Sequence, residues 1–139
     1  MRVVLDTNVL FAALYSNAGS SYKVLMLLKS GELIPCLSVP LLLEYEATLL
    51  NHLSQLSQTE EEIRDIMDYL CAVSVRQTVF YLWRPFLTDP KDDMVLELAV
   101  ASQAEFIITH NKRHFAGVEC FGVQAITPAE FLNTMRRKA

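Results

Sequence analysis

The sequence predicts an α/β protein, a three-layer α/β/α sandwich around a mainly parallel central sheet. Two observations predict it. Short continuous apolar runs, Val3-Val4-Leu5 and "EFIIT" at 105–109, read as strands buried on both faces. Between such runs lie longer stretches with helix caps, prolines at first-turn positions and apolar residues at helical spacing. Strands that alternate with helices pack as a parallel sheet whose faces the helices cover.

Taken in order, the first strand ends at Asp6, and Thr7 or Asn8 can cap a helix through about Leu14; Asp6 could itself be that cap. "NAGSS" at 17–21 is a loop. A helix follows from Ser21 to Ser30 and stops at Gly31, a C-terminal glycine. "ELIPCLS" at 32–38 is a second short strand; Ser38 and Pro40 then suit the start of a largely buried helix over 41–53. A further helix spans 57–73, with Ser57 or Thr59 as cap and a solvated face of Glu60, Glu61, Glu62, Asp65 and Asp68. A short strand is expected near Val79-Phe80-Tyr81. Asp89-Pro90 opens a helix to about Gln103, with Asp as cap and Pro at the first position. "HNKRHF" at 110–115 is a loop or short helical turn, "VQAI" at 123–126 a last strand, and Thr127-Pro128 starts a helix ending in Arg136-Arg137-Lys138.

With 139 residues, 52% of them hydrophobic, residues 1–139 fit one domain with a real core, and disorder is excluded. No apolar run reaches the ~18 residues of a membrane span, and the N-terminus does not read as a signal peptide. A cytoplasmic location without membrane contact is expected. Three widely spaced cysteines fit neither a disulfide framework nor a zinc knuckle, and Cys36 and Cys120 lie in apolar stretches that suggest burial. The net charge of −4 argues against gripping nucleic acid by a broad basic surface, though not against an acidic site neutralised by divalent ions.

Open parallel sheets form their sites at the carboxyl ends of the strands. Two strands end there in polar residues, Asp6-Thr7-Asn8 and Thr109-His110-Asn111. Intervening helices can add Glu44 or Glu46, and Asp92 or Asp93. Carboxylates from distant parts of a chain repel unless a cation sits between them, and hard ions such as Mg²⁺ or Mn²⁺ suit such oxygen donors. At ~100° per residue, Asp92 shares the stripe of Val95, Leu96 and Ala99 that must face the sheet. Asp93 and Glu97 are expected on the opposite, polar side. Periodicity does not choose between Glu44 and Glu46. Each residue also has a plain reading: Asp89, Asp92 and Asp93 as helix-start acids, Asn111 as a turn residue, Glu44 as a partly exposed helix residue.

Four segments, in order and spacing, resemble PIN domains: "VVLDTNVLFAAL" at 3–14, "SVPLLLEYEATL" at 38–49, "DPKDDMVLELAVASQAEFIITHNKRHF" at 89–115 and "AITPAEFL" at 125–132. The likeness covers nearly the whole chain, is weakest over 51–88, and is greatest to bacterial and archaeal PIN proteins regarded as toxins of toxin–antitoxin pairs. It implies an α/β/α fold and an endoribonuclease dependent on Mg²⁺ or Mn²⁺, with an RNA substrate, an antitoxin partner and a homodimeric state. Carried over residue by residue, it implies Asp6, Glu44 and Asp92 as metal ligands, with Asp93 in reserve, and it selects Glu44 over Glu46. The family's fourth position is commonly Asp; here it is Asn111, a weaker ligand expected to orient a water or a phosphate. Thr7, Asn8 and Thr109 are expected to hydrogen-bond the acids. Lys112, Arg113 and His114 are expected beside the cleft as contacts to the RNA backbone. His110 and His114 as ligands are disfavoured, because hard ions rarely take imidazole, and His52 reads as structural.

Two rival readings have their own signatures. A phosphotransfer receiver wants its acid pair early and a Lys at a late strand end, where this chain has Asn111. An aspartyl-phosphate hydrolase wants a second Asp two residues after the first, where it has Asn8. A non-catalytic PIN-like module that binds RNA or protein is the other alternative, favoured by Asn111 and the acidic charge.

Overall fold

The structure, a computed structural model, describes residues 1–79 and 85–138. β1 (Arg2–Leu5) runs into α1 (Thr7–Tyr15), and α2 (Ser20–Ser30) leads to β2 (Ile34–Leu37). α3 (Val39–Asn51) and α4 (Glu60–Val73) precede β3 (Val75–Arg76); α5 (Pro90–Ala101), β4 (Phe106–Ile108), β5 (Gln124–Ile126) and α6 (Pro128–Lys138) follow. Short 3₁₀ turns occupy Leu53–Gln55, Lys112–Phe115 and Val118–Phe121.

The described strands form one sheet in the order β3-β2-β1-β4-β5, with every pairing parallel. Successive strand residues point to opposite faces, yet Val3, Val4 and Leu5, and Phe106, Ile107 and Ile108, are all buried. Both faces of the sheet are therefore covered, which makes the three layers that the apolar runs predict. The chain builds outward from β1 through β2 to β3, then returns to lay β4 on the other side of β1. The seam between β1 and β4 is thus the topological switch point, where a crevice opens at the strands' carboxyl ends.

The local signals act at the helix ends. Ser38 Oγ accepts from Leu41 N (3.3 Å) with Pro40 in the first turn, Thr59 and Glu62 form a reciprocal capping box, and Gly31 ends α2 at φ 78°. Glu60, Glu61, Glu62, Asp65 and Asp68 form an exposed face, as expected. Among the described residues no helix is long and apolar enough to cross a membrane.

Of the three caps open to α1, Asp6 is the one used, accepting from Thr7 N. A strand not expected from the sequence lies at Val75–Arg76, directly after α4; of the strand expected near Val79-Phe80-Tyr81, Val79 is outside any strand and Phe80 and Tyr81 fall outside the described residues. A two-residue strand at a sheet edge leaves no apolar run to read. Cys120 is exposed, because of its 3₁₀ turn only Val118 is buried. Asp93 and Glu97 share a side of α5, but that side is not solvated: they are 5% and 6% exposed. The backbone at 86–87 is bound by Asp93 itself, so the cover comes from a segment that helical phase cannot see.

Candidate active site

Asp6 leaves β1 at the switch point, held by its own backbone N–H on Ile108 O (2.9 Å). Its carboxylate accepts three hydrogen bonds: from Thr7 N on Oδ1 (2.9 Å), and from Thr109 Oγ1 (2.8 Å) and Asn8 Nδ2 (3.3 Å) on Oδ2. Thr109, fully buried at the end of β4, also accepts from Asn111 N (3.0 Å), so one hydroxyl fixes both the first acid and the fourth position. Asn8 Oδ1 accepts from His110 N (3.2 Å), a second tie across the seam. Burial raises the Asp6 pKa above the usual carboxylate value, and these hydrogen bonds only partly offset it.

Tyr45 places the second acid. Its buried hydroxyl donates to Leu5 O, the carbonyl just before Asp6, which locks α3 against the end of β1. Burial and the Asp6 charge raise its pKa far above the usual phenol, so it acts as a neutral donor. Glu44, its neighbour, faces the cleft, accepts from Thr48 Oγ1 (3.2 Å) and lies 3.5 Å from Lys91 Nζ. Glu46 is not among the cleft residues.

From α5, Asp92 faces the same cleft, its pKa raised to about 6 by burial and then by the Asp6 and Asp89 charges. His114 Nδ1 approaches it at 3.6 Å. Asp93 does not face the cleft. Its Oδ1 accepts from Leu87 N (2.8 Å) and Phe86 N (3.2 Å), a structural tie for the segment entering α5.

Asp6, Thr7, Asn8, Glu44, Asp92 and Asn111 thus border one cleft of about 450 Å³, joined by Asp89, Lys91 and His114. Lys112 does not join them, because its ammonium is 3.0 Å from Glu130 on α6. Arg113 is exposed and also outside the cleft lining. The 3₁₀ turn explains this: at three residues per turn Asn111 and His114 share a side, and the residues between them point elsewhere. Sequence reasoning missed Asp89, Lys91 and Tyr45. Asp89 had a usable signal, lying three residues before Asp92 and so on the same side of the helix; Tyr45 had none.

Among the described residues no three His, Cys, Asp or Glu side chains converge closely enough to form a group that could hold a metal ion. The donor set nonetheless suits a hard ion: the acids facing the cleft supply only oxygen, and crowding of Asp6, Asp89 and Asp92 raises the Asp92 pKa, a cost that a cation would relieve. Mg²⁺ keeps several waters and needs only one or two carboxylates.

An all-parallel sheet with acids gathered at its switch point defines an α/β protein that binds its ligand at the strands' carboxyl ends. Within that class the PIN domain model matches residues 2–113, and the chain belongs to the PIN domain family. PIN domains are generally nucleases that use divalent metal ions. Among solved structures, the crystal structure of VapBC2 from Rickettsia felis bound to a DNA fragment from their promoter is similar in fold. Its TM-score is 0.60 at 16% identity, over 91% of this chain and 98% of that one. No curated protein matches the sequence significantly.

Proposed function

We propose that this PIN domain is an endoribonuclease that needs Mg²⁺ or Mn²⁺ and hydrolyses RNA phosphodiester bonds. The observation that carries the reading is the convergence of Asp6, Glu44 and Asp92, from three separate elements, on one cleft at the β1/β4 switch point. Asp6 and Asp92 would hold the ion, with Glu44 beside them once Lys91 gives way. When bound, such an ion supplies Lewis acidity at the phosphodiester. The chain's own groups orient the rest. Thr7, Asn8 and Thr109 fix the Asp6 carboxylate, and Asn111 offers an amide to a water or a phosphate oxygen. Asp92, which lines the same cleft, would take a proton from the attacking water. Water adds to phosphorus, the bridging P–O bond breaks, and the leaving oxygen takes up a proton from solvent. Since Glu130 holds Lys112 and Arg113 lies outside the cleft lining, contact with the RNA backbone falls first to Lys91.

The first test is cleavage of labelled single-stranded RNA with Mn²⁺ or Mg²⁺. Cutting that both EDTA and Asp6→Asn abolish supports the reading. Cutting that survives Asp6→Asn places the activity elsewhere, and a protein that neither cuts RNA nor binds Mn²⁺ is the non-catalytic binding module instead. The toxin role draws on the resemblance to PIN toxins and on the shared fold with the VapBC2 protein. An adjacent reading frame encoding a small DNA-binding protein that co-purifies with this chain supports it; an isolated gene counts against it. A homodimer is part of the same proposal, and a monomeric mass by light scattering removes it.

A further inference from the structure

We infer that Phe11 and His52 of the cleft, extended past its lining by the exposed Tyr15, form a stacking subsite beside the acidic end that takes a base of single-stranded RNA. The inference rests on the nuclease reading and specifies the form of substrate it acts on. Two helices leave the acidic end in contact with each other, α1 and α3. Along α1, Thr7, Phe11 and Tyr15 recur every four residues; along α3 and its C-cap, Glu44, Thr48 and His52 do the same. Residues at this spacing lie on one face of a helix. Each row therefore starts at the acids and ends in rings.

The rings are grouped. Phe11 and Tyr15 are 6.0 Å apart and nearly parallel at 20°, and the His52 ring meets Phe11 edge-on at 5.6 Å. Phe11 is half-buried against the core, whereas Tyr15 is 63% exposed and His52 is exposed. His52 Nδ1 lies 2.8 Å from Thr48 O, so this nitrogen donates and holds the ring in place. Phe11, Thr48, His52 and Gln55 border the same cleft as the acids, yet none of them is a carboxylate or an ammonium.

One cavity thus has an end suited to an anion with its counter-ions and an end suited to a flat neutral ring with a polar edge. A nucleotide has those two parts. A base can lie on an aromatic side chain only where one of its own faces is free of its neighbours, as in single strands and loops, since both faces are covered inside a duplex. Aromatic side chains hold such bases by stacking, with little regard to sequence.

The test is steady-state cleavage of a short single-stranded RNA carrying 2-aminopurine, compared with the same RNA annealed to its complement. Phe11→Leu and Tyr15→Ala are expected to raise KM roughly ten-fold each on the single strand, with kcat little changed. The quenching of 2-aminopurine on binding is expected to weaken with them, while Tyr15→Phe, which keeps a ring, behaves as wild type. Tyr15 is exposed, so its variant remains informative if Phe11→Leu folds poorly. Unchanged KM and quenching in a wild-type protein that cuts RNA overturn the stacking subsite and leave the nuclease standing. So does equal cleavage of strand and duplex. Absence of all RNA cutting and binding overturns both.

Discussion

At the scale of single residues, the site depends on how a few carboxyl groups are held and crowded. Thr109 Oγ1 donates to Asp6 and accepts from Asn111 N, so Thr109→Val removes both bonds while keeping the shape. We expect a stability loss of about 1–2 kcal/mol by urea denaturation. Because the Thr109 hydrogen bond lowers the Asp6 pKa, its loss moves the acid limb of any pH–rate profile to higher pH. Asp92 titrates at about 6, so protons compete with Mn²⁺ there, and metal affinity is expected to fall as pH drops through 6. Its effect on stability has the opposite sign in the metal-free protein. A carboxyl whose folded pKa lies above its unfolded value binds more protons in the folded state, so stability declines as pH rises from the unfolded to the folded pKa. Metal-free Asp92→Asn should therefore be more stable than wild type above pH 6, with the gap closing toward pH 4; a gap that grows on acidification refutes the assignment. Asp6 and Asp92 were legible in the sequence because carboxylates at a strand end and a helix start stand out, whereas Glu44, in the middle of α3, was separated from Glu46 only by the family resemblance. Tyr45 and Lys91 were not, since a phenol on a backbone carbonyl and an ammonium leaning on Glu44 leave no trace in spacing.

At the scale of elements, α5 shows where periodicity stops being informative. Its phase correctly separates Asp92 from Asp93, but the phase alone made Asp93 a solvent-side residue. In the fold Asp93 accepts from Phe86 N and Leu87 N and is buried. This predicts a split between two variants. Asp93→Asn keeps an acceptor and should retain both stability and the Mn²⁺ response. Asp93→Ala leaves two donors without their partner and should cost roughly 2–3 kcal/mol in denaturation while still responding to Mn²⁺. Loss of the Mn²⁺ response in Asp93→Asn alone would restore Asp93 as a ligand. The edge strand β3 escaped sequence reading for a related reason, because two residues paired to Cys36 and Leu37 are defined by their neighbour and not by their own pattern. The helices, with caps at Ser38, Thr59 and Asp89, were legible almost to the residue.

At the scale of the whole molecule, an ion bound only by the folded state stabilises it by mass action. At a free Mn²⁺ concentration of ~100 times its Kd the gain is ~2.7 kcal/mol, a rise in Tm on the order of 5–10 °C for a domain of this size. Asp6→Asn should abolish the shift, and differential scanning fluorimetry reads it directly. The sandwich itself was legible because Val3-Val4-Leu5 of β1 and the whole of β4 are apolar at consecutive positions, which only a sheet covered on both faces can use.

The seam between β1 and β4 has one more consequence, for synthesis. Asp6 and Thr109 bond across 103 residues of chain. A polypeptide emerging from the ribosome displays Asp6 and Glu44 well before the strand that locks Asp6 has been made. Non-local pairings of this kind form late and slowly. The proposed nuclease would therefore stay inert on the ribosome until β4 and Thr109 have joined β1.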